Sequence, residues 1–301
     1  LMTLVIAMAA TGAFAQDDYP NRVIRVIVPF AAGGLVDVAA RSLTEKISHD
    51  WNKPFVIEAK PGADGNIGTA LVAKSAPDGY TWLVTGPAIL TNPSIRRDLG
   101  WNVFDDFKCV GVVLWTQTVA LVRPGLSVNS MKELVDYAKE HPGGINFGNP
   151  GNGSSVDLIA RKLFKTAGIE VTNISYKGQP PALNDLLGSH IDFGIFSAFL
   201  ALPHIEAGTV KPIAVFSREP IASMPKIPTI AQAGYADATY VPWFGVYVPA
   251  ATPQPIVERI HAAINDALNA PEVRERLAQA DIPGTPMALP ELAALVKSDH
   301  D

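Results

Sequence analysis

The stretch from residue 23 to residue 43 constrains the fold most, because a buried strand, a glycine loop and a helix follow one another there. Residues 23–28 are almost continuously β-branched and apolar, which predicts an interior strand of a covered, mostly parallel sheet. Pro29 ends this strand, and apolar residues at helical spacing resume at Leu35, with Asp37 in the first turn. Such a helix start presents orphan backbone N–H groups and roughly half a positive charge, so it can hold an anion without Lys or Arg.

Composition limits the class of protein. The chain has 301 residues, enough for one large or two medium domains, and its 48% hydrophobic content allows substantial cores. A net charge of −5 and the lack of a Lys/Arg-rich run argue against a nucleic-acid partner.

The N-terminus has the pattern of a secretory signal. An apolar stretch over residues 1–8 is followed by Ala13-Phe14-Ala15 and then by polar residues from Gln16 onward. This pattern predicts cleavage after Ala15, and the alternative is a buried N-terminal helix. No later apolar run is long enough to span a bilayer, so the mature protein is expected to be soluble and exported.

Strands and helices alternate along the chain, which predicts βαβ units. A second glycine-rich loop, residues 148–155, follows a short strand and precedes a helix that Gly168 closes. Two strand-like runs without a helix between them, near residues 110–122, indicate a crossing into a second domain. We therefore predict domain 1 from residues 16–106 and 223–301, domain 2 from residues 107–222, and a hinge made by the two connections.

Motifs for other chemistry are missing or incomplete. Gly151 and Gly153 match part of a dinucleotide fingerprint, but Val156 replaces its final glycine. The sequence contains no P-loop and no G-x-S-x-G motif, its six histidines form no H-x-x-x-H pair, and Cys109 is its one cysteine. We expect no cofactor, no metal ion and no catalytic residue.

A set of short motifs in a fixed order carries a family resemblance. They are Tyr19-Pro20, residues 27–34 with Asp37 and Ala40-Arg41, and residues 60–68, 76–81, 105–107, 151–155, 176–178 with 181–182, and 227–229 with 233–234. With these motifs the chain resembles the tripartite tricarboxylate transporter receptors, the Bug family of periplasmic solute-binding proteins, over nearly its whole mature length.

The resemblance implies an α/β type II periplasmic binding protein fold, in which two Rossmann-like lobes joined by a hinge close like a Venus flytrap. It further implies capture of a small carboxylated solute in the periplasm and its delivery to a membrane permease. We expect this solute to be a mono- or dicarboxylate, aromatic acids included, and the protein to be a monomer. In the family, the loop after the first strand and the glycine-serine loop grip a carboxylate. The ligand-binding residues expected on this basis, and from the loops at strand ends, are Phe30, Ala31, Ala32, Gly33, Gly34, Leu35, Val36, Gly86, Pro87, Asn149, Pro150, Gly153, Ser154, Ser155, Tyr176 and Lys177.

The chain departs from the family pattern at two places. Leu35-Val36 stands where the family has a small hydroxyl residue, which favours a ligand with a hydrocarbon or aromatic body, and Asp157 stands where a histidine is common. The family also tends to continue past Asp301, so a truncated C-terminus is expected.

Two alternative functions stay open from the sequence. Ser154 or Ser155 is a nucleophile candidate for a secreted hydrolase, which needs a histidine base nearby. A sensor subunit that presents its ligand-bound state to a membrane kinase uses the same fold. Two single residues also have alternative interpretations. Lys177 could contact an anion or be a surface lysine, and Trp243 could line a cleft or fill the core.

Overall fold

The computed structural model describes residues 19–30, 32–151, 154–176, 178–279, 282 and 284–300. The predicted signal segment, residues 1–15, and its cleavage after Ala15 lie outside the described residues. So do Ala31, Gly153 and Lys177 among the expected ligand-binding residues.

The described chain folds into two five-stranded sheets covered by helices. The strands are β1 (Ile24–Val28), β2 (Phe55–Ala59), β3 (Thr81–Thr85), β4 (Phe107–Trp115), β5 (Thr118–Val122), β6 (Asn146–Asn149), β7 (Thr172–Ser175), β8 (Phe193–Ser197), β9 (Lys211–Val215) and β10 (Trp243–Pro249). The helices are α1 (Leu35–Trp51), α2 (Asn66–Ala73), α3 (Ala88–Ile95), α4 (Val103–Asp106), α5 (Met131–Glu140), α6 (Ser155–Ala167), α7 (Gln179–Leu187), α8 (Ala198–Glu206), α9 (Gln254–Asn269), α10 (Pro271–Gln279) and α11 (Leu289–His300).

The two sheets repeat one topology. The first has the strand order β2-β1-β3-β10-β4 and the second β7-β6-β8-β5-β9. In each, three parallel strands are followed by an antiparallel strand, β10 or β5, and then by a strand that again runs with the first three. Position for position, β1 therefore corresponds to β6, β3 to β8, and α1 to α6.

Local sequence signals predicted most elements correctly. The first strand ends before Pro29, and it lies between β2 and β3 as an interior strand. Ser130 caps α5 by accepting the N–H of Glu133, and Gly168 ends α6 in the left-handed conformation, as predicted. The helices α3, α4 and α11 were not predicted. For α3 the reason is Pro93, which lies inside the helix, since an internal proline normally argues against a helix.

The crossing between the sheets differs from the prediction. β4 belongs to the first sheet, where it pairs with β10, although residues 107–115 were assigned to the second domain. The chain changes sheet only between Trp115 and Thr118, because the bulged pairing with β10 holds β4 along its whole length. The return connection runs beside this crossing, and the Thr116 N–H donates to the Pro242 carbonyl at 2.7 Å.

Each sheet has cores on both faces. The last long helices pack on the first sheet, as predicted, with Val257, Ile260 and Ile264 of α9 buried against α1 and β4. In the return segment, Ile230 and Ala238 are instead buried in the core of the second sheet. Residues 223–240 were expected in domain 1, but this packing associates them with the second sheet.

Candidate functional site

The carboxyl ends of the central strands in both sheets lie beside the two crossings. Thr85 at the end of β3 pairs with Gly245, two residues after the start of β10. Ser197 at the end of β8 pairs with Thr118, the first residue of β5. Because β1 runs parallel to β3 and β6 parallel to β8, their following loops lie at the same edges. Both glycine-bearing loops are thus at the sheet edges next to the hinge, where open α/β sheets bind ligands.

The loop after β1 combines open backbone with an uncapped helix. Gly33 has a φ of +79°, and a Cβ built on it would meet nothing within 4 Å. Gly34 is the N-cap of α1 and contributes no side-chain cap. The Gly33 N–H donates to Asp37 Oδ2 at 3.0 Å and is therefore engaged within the protein. The N–H groups of Gly34 and of the first turn of α1 are the ones whose position suits an anion.

The expected ligand-binding residues on α1 differ in what their side chains do. Val36 is buried in the core of the first sheet, and Leu35 is half-buried against the same core. Their side chains were expected to make the pocket apolar, but this packing directs Val36 into the protein interior. A backbone N–H is all that Val36 can offer a ligand. The exposed Ala32 adds only a methyl group beside the loop.

An aromatic pair at this edge is half-buried against the same core as Leu35. The ring of Phe30 meets that of Phe244 edge-on, with centroids 5.8 Å apart. Gly86 lies under the Phe244 ring so closely that a Cβ on Gly86 would come within 2.5 Å of it. Pro87 is buried and serves as the N-cap residue of α3. Phe244 was not among the predicted site residues, because a strand pattern alone does not show that its ring contacts Phe30 and Gly86.

The loop after β6 is held by an internal amide. Asn149 is fully buried, its Nδ2 donates to Asp157 Oδ1 at 2.7 Å, and its Oδ1 accepts the Gly151 N–H at 3.0 Å. The Pro150 carbonyl accepts the N–H of Gly178, which joins this loop to the one after β7. Asn149 thus shapes the loop through its side chain.

The two serines of this loop occupy different positions on α6. Ser154 is the N-cap residue, and its Oγ accepts the N–H of Asp157 at 3.2 Å. Ser155 is the first helical residue and is half-buried. Within the described residues, the hydrogen bond given for these serine hydroxyls is the one from the Asp157 N–H to Ser154, and a histidine partner is not among their contacts.

Tyr176 connects the end of β7 to α7. Its hydroxyl donates to Asp185 Oδ2 at 2.6 Å, and its N–H donates to the Asn149 carbonyl. Burial, assisted by the hydrogen bond to Asp185, raises the pKa of Tyr176 to about 12, so the phenol stays protonated as a donor. In this structure the Tyr176 hydroxyl thus donates its proton to a protein carboxylate, that of Asp185.

At the sheet edges beside the two crossings, the structure places further polar groups that the sequence analysis missed. The hydroxyl oxygens of Thr85 and Thr118 are buried and have no hydrogen-bond partner among the described residues. Gln179 Oε1 accepts the Ser197 N–H at 2.8 Å and ties α7 to the end of β8. Strand-end threonines carry no local signature, since their neighbours come from strands far away in the sequence. Trp243, in contrast, is a core residue that donates to Asp299.

The first turns of α1 and α6 each contain an aspartate whose charge is neutralised by an arginine. Asp37 is ion-paired to Arg41, and this contact lowers the pKa of Asp37. Asp157 is ion-paired to Arg161 in the same way. The described residues contain no group of three or more His, Cys, Asp or Glu side chains that suits a metal ion. In the same part of the chain, no helix combines the length and apolarity needed to cross a membrane.

This two-lobed arrangement of mixed α/β sheets is the fold of periplasmic binding proteins. Residues 39–300 match the model of the tripartite tricarboxylate transporter family receptor, and the chain belongs to that family. It is similar to the periplasmic binding protein BugD, with 33% identity, a TM-score of 0.81 and coverage of 94% of this chain and 95% of BugD.

Two further similar structures contain small carboxylates. The chain is 30% identical to Rpa4515 of R. palustris with adipate, at a TM-score of 0.84, covering 94% of this chain and 95% of Rpa4515. It is 28% identical to MatC from Rhodopseudomonas palustris with bound malate, at a TM-score of 0.81, covering 94% of this chain and 97% of MatC. The chain thus belongs to a family of periplasmic solute-binding receptors, two neighbours of which hold dicarboxylates.

Proposed function

We propose that this protein captures a small carboxylate between its two lobes and delivers it to a membrane permease of the tripartite tricarboxylate type. The observation that carries this proposal is the placement of two helix N-termini, those of α1 and α6, at the sheet edges beside the hinge. Each lobe would contribute backbone N–H groups, with the Ser154 and Ser155 hydroxyls added from the second lobe. The expected site residues from Phe30 to Lys177 stay part of this proposal.

A linear dicarboxylate of moderate length is the ligand class that we favour. One carboxylate would bind at the helix ends, and the hydrocarbon body would lie on the Phe30 and Phe244 rings, which are in contact. The adipate and malate in similar structures support this class. The protein has a net charge of −5, so affinity has to come from local donors and not from long-range attraction.

The energetics of such a site are sufficient. Hydrogen bonds to a charged group contribute about 1.5–3 kcal/mol each, so four or five of them would contribute about 6–15 kcal/mol, and the upper part of this range exceeds the roughly 8 kcal/mol of a micromolar complex. The excess is needed for lost translational freedom and for ordering the loops.

Closure would couple binding to transport. We place the hinge at the neighbouring crossings, where Thr116 donates to the Pro242 carbonyl. Only a closed form allows one ligand to contact both helix ends, so the ligand would shift the population toward closure. A permease that recognises the closed form would then accept loaded protein selectively.

A thermal-shift screen of mono-, di- and tricarboxylates, including aromatic acids, tests the binding proposal. A ligand of the native state raises the unfolding temperature, and adipate and malate are the first compounds to test. Adipamide is the matched neutral control, because it keeps the chain length and loses both charges. Stabilisation by adipate but not adipamide is expected, while equal effects, or none by any acid, would contradict the proposal.

Delivery to a permease needs a cellular assay. A strain that lacks this protein should lose uptake of the radiolabelled acid found in the screen, and the intact gene should restore it. Restoration by a variant that does not bind the acid would show that the protein acts otherwise, for example as a sensor subunit.

A further inference from the structure

The first turns of α1 and α6 carry the same short pattern. Residues 36–41 read Val-Asp-Val-Ala-Ala-Arg and residues 156–161 read Val-Asp-Leu-Ile-Ala-Arg. The two helices also hold the same place in the fold, since β1 and β6 occupy corresponding positions in their sheets. An acid is thereby repeated at the third helical position of both lobes, as Asp37 and Asp157.

The contacts of the two acids agree closely. Their side chains are 5% and 3% exposed, and each accepts an arginine Nε at 2.9 Å, from Arg41 and Arg161 respectively. Both arginines lie one turn further along the helix and are more than half exposed. Ordinary i,i+4 pairs on helix surfaces are not built this way, as the exposed pair Lys132–Asp136 on α5 illustrates.

Each acid also holds the loop that precedes its helix. Asp37 Oδ2 accepts the Gly33 N–H at 3.0 Å. Asp157 Oδ1 accepts Asn149 Nδ2 at 2.7 Å, and Asn149 in turn accepts the Gly151 N–H at 3.0 Å. The link is direct in the first lobe and passes through an amide in the second, yet it reaches a glycine N–H in both.

The arginines explain how a buried acid is tolerated beside a site for an anion. A lone buried carboxylate would repel a ligand carboxylate and would itself be costly to desolvate. Ion pairing with a solvent-facing guanidinium neutralises the acid, and the carboxylate accepts N–H groups of the loop side in addition to the arginine.

We propose that Asp37 and Asp157 are matched positioning residues, which hold the two glycine loops in the conformation that presents N–H groups to the ligand, while Arg41 and Arg161 cancel their charge. The link to binding rests on the proposed function, but the holding of the loops does not. Neither acid contacts the ligand in this proposal.

Hydrogen–deuterium exchange tests the positioning directly and without any ligand. In Asp37→Ala, amide exchange in peptides containing Gly33 should accelerate at least tenfold, while peptides containing Gly151 keep their wild-type rate. Asp157→Ala should give the opposite pattern, so each loop is the control for the other. Asp37→Asn, which retains an acceptor oxygen, should restore most of the protection at Gly33. Unchanged exchange at Gly33 in Asp37→Ala and Asp37→Asn would overturn the proposal, whatever the protein binds.

Calorimetry with adipate and malate tests the connection to binding. Each Asp→Ala variant should lose at least tenfold in affinity, and Asp37→Asn should retain more affinity than Asp37→Ala. Arg41→Gln should weaken adipate binding several-fold without faster exchange at Gly33, because the loop stays held but the acid is no longer neutralised. Asp136→Ala, which breaks the exposed pair on α5, should bind as the wild type does.

The outcomes separate two kinds of failure. If the wild type binds neither acid, the proposed ligand class fails, and the exchange measurement still decides the positioning role. If the wild type binds adipate and both Asp→Ala variants bind it equally well, the positioning proposal fails and the proposed function stands. Should one alanine variant not fold, as judged by circular dichroism, the alanine variant of the other lobe decides the question by the same readouts, because each is expected to speed exchange only in its own loop.

Discussion

The starts of α1 and α6 correspond in fold and share an acid–arginine pair, but they differ in how the helix end is completed. Gly34 gives α1 no side-chain cap, whereas the Ser154 hydroxyl caps α6 by accepting the Asp157 N–H. In the first lobe the orphan N–H groups are left to an external acceptor. In the second lobe one of them is already satisfied by the protein.

The uncapped start of α1 and the serine-capped start of α6 would contribute to an anion site in different ways. A glycine loop offers backbone donors only and gains no helix stability from a cap. A serine cap adds stability and still has a hydroxyl proton to donate, because it uses only an oxygen lone pair for the cap. We therefore expect substitutions in the second lobe to divide between stability and binding, and those in the first lobe to act mainly on binding.

The largest effect is expected when an acid is placed where the ligand carboxylate would bind. Ser155→Asp and Leu35→Asp each put a negative charge at the first helical position. Two unit charges about 5 Å apart repel by about 3 kcal/mol at an effective dielectric constant near 20, so adipate affinity should fall about 100-fold. An acid at a helix N-terminus stabilises the helix, and Ser155→Asp should therefore stay folded. Calorimetry and thermal melting measure both effects.

The matched control is Gln254→Asp, at the first position of α9. This helix follows the carboxyl end of the antiparallel strand β10, at the edge of the first sheet away from the hinge. Its adipate affinity should equal that of the wild type. An equal loss in all three variants would show a general charge effect and no local site.

The next largest effect should differ between the two serines, with Ser154 acting on stability and Ser155 on ligand affinity. Ser154→Ala removes the cap of α6 and should lower the free energy of unfolding by about 1 kcal/mol. Ser155→Ala removes no cap and should leave stability within about 0.5 kcal/mol, while adipate affinity falls several-fold through one lost hydrogen bond. Urea unfolding and calorimetry on both variants test this division. A stability loss in Ser155→Ala alone would reverse the roles assigned to the two residues.

A smaller effect is expected at the strand ends that correspond in the two lobes. The Thr85 hydroxyl is buried without a partner among the described residues, whereas Ser197, at the corresponding position, is bonded through its N–H to Gln179. Thr85→Val keeps the shape, removes the unsatisfied hydroxyl, and should raise the free energy of unfolding by about 0.5–1 kcal/mol. Urea unfolding without ligand provides the measurement. A loss of stability would indicate that the hydroxyl has a partner, such as bound water, that sustains it.

The smallest effect should come from giving α1 the cap that α6 has. Gly34 has a φ of −76° and a ψ of 171°, a conformation that any residue adopts, so Gly34→Ser introduces no backbone strain. Stability should rise by a few tenths of a kcal/mol, and adipate affinity should fall two- to threefold because the new hydroxyl competes for a donor. Chemical unfolding and calorimetry in parallel resolve the two effects. A gain in affinity would mean that the first lobe benefits from a hydroxyl as the second does.

Elements with strong local signals were predictable, and those defined by their neighbours were not. The strand before Pro29, the cap at Ser130 and the helix end at Gly168 follow from preferences of single residues and their immediate surroundings. The membership of β4 in the first sheet depends on pairing with β10, whose Trp243 lies 128 residues after its partner Trp115, and no local pattern reports that choice. For the same reason α11, which packs on β4, was missed.

By itself, the sequence determined that two glycine loops, each between an apolar strand and an amphipathic helix, would repeat in an α/β protein, because spacing and residue type are local properties. Only the tertiary structure decided that Val36 faces the core, that Phe244 covers Gly86, and that Asp37 and Asp157 hold the loops beside them. These relations join groups through space, and their geometry depends on the packing of strands and helices that the chain brings together from distant positions.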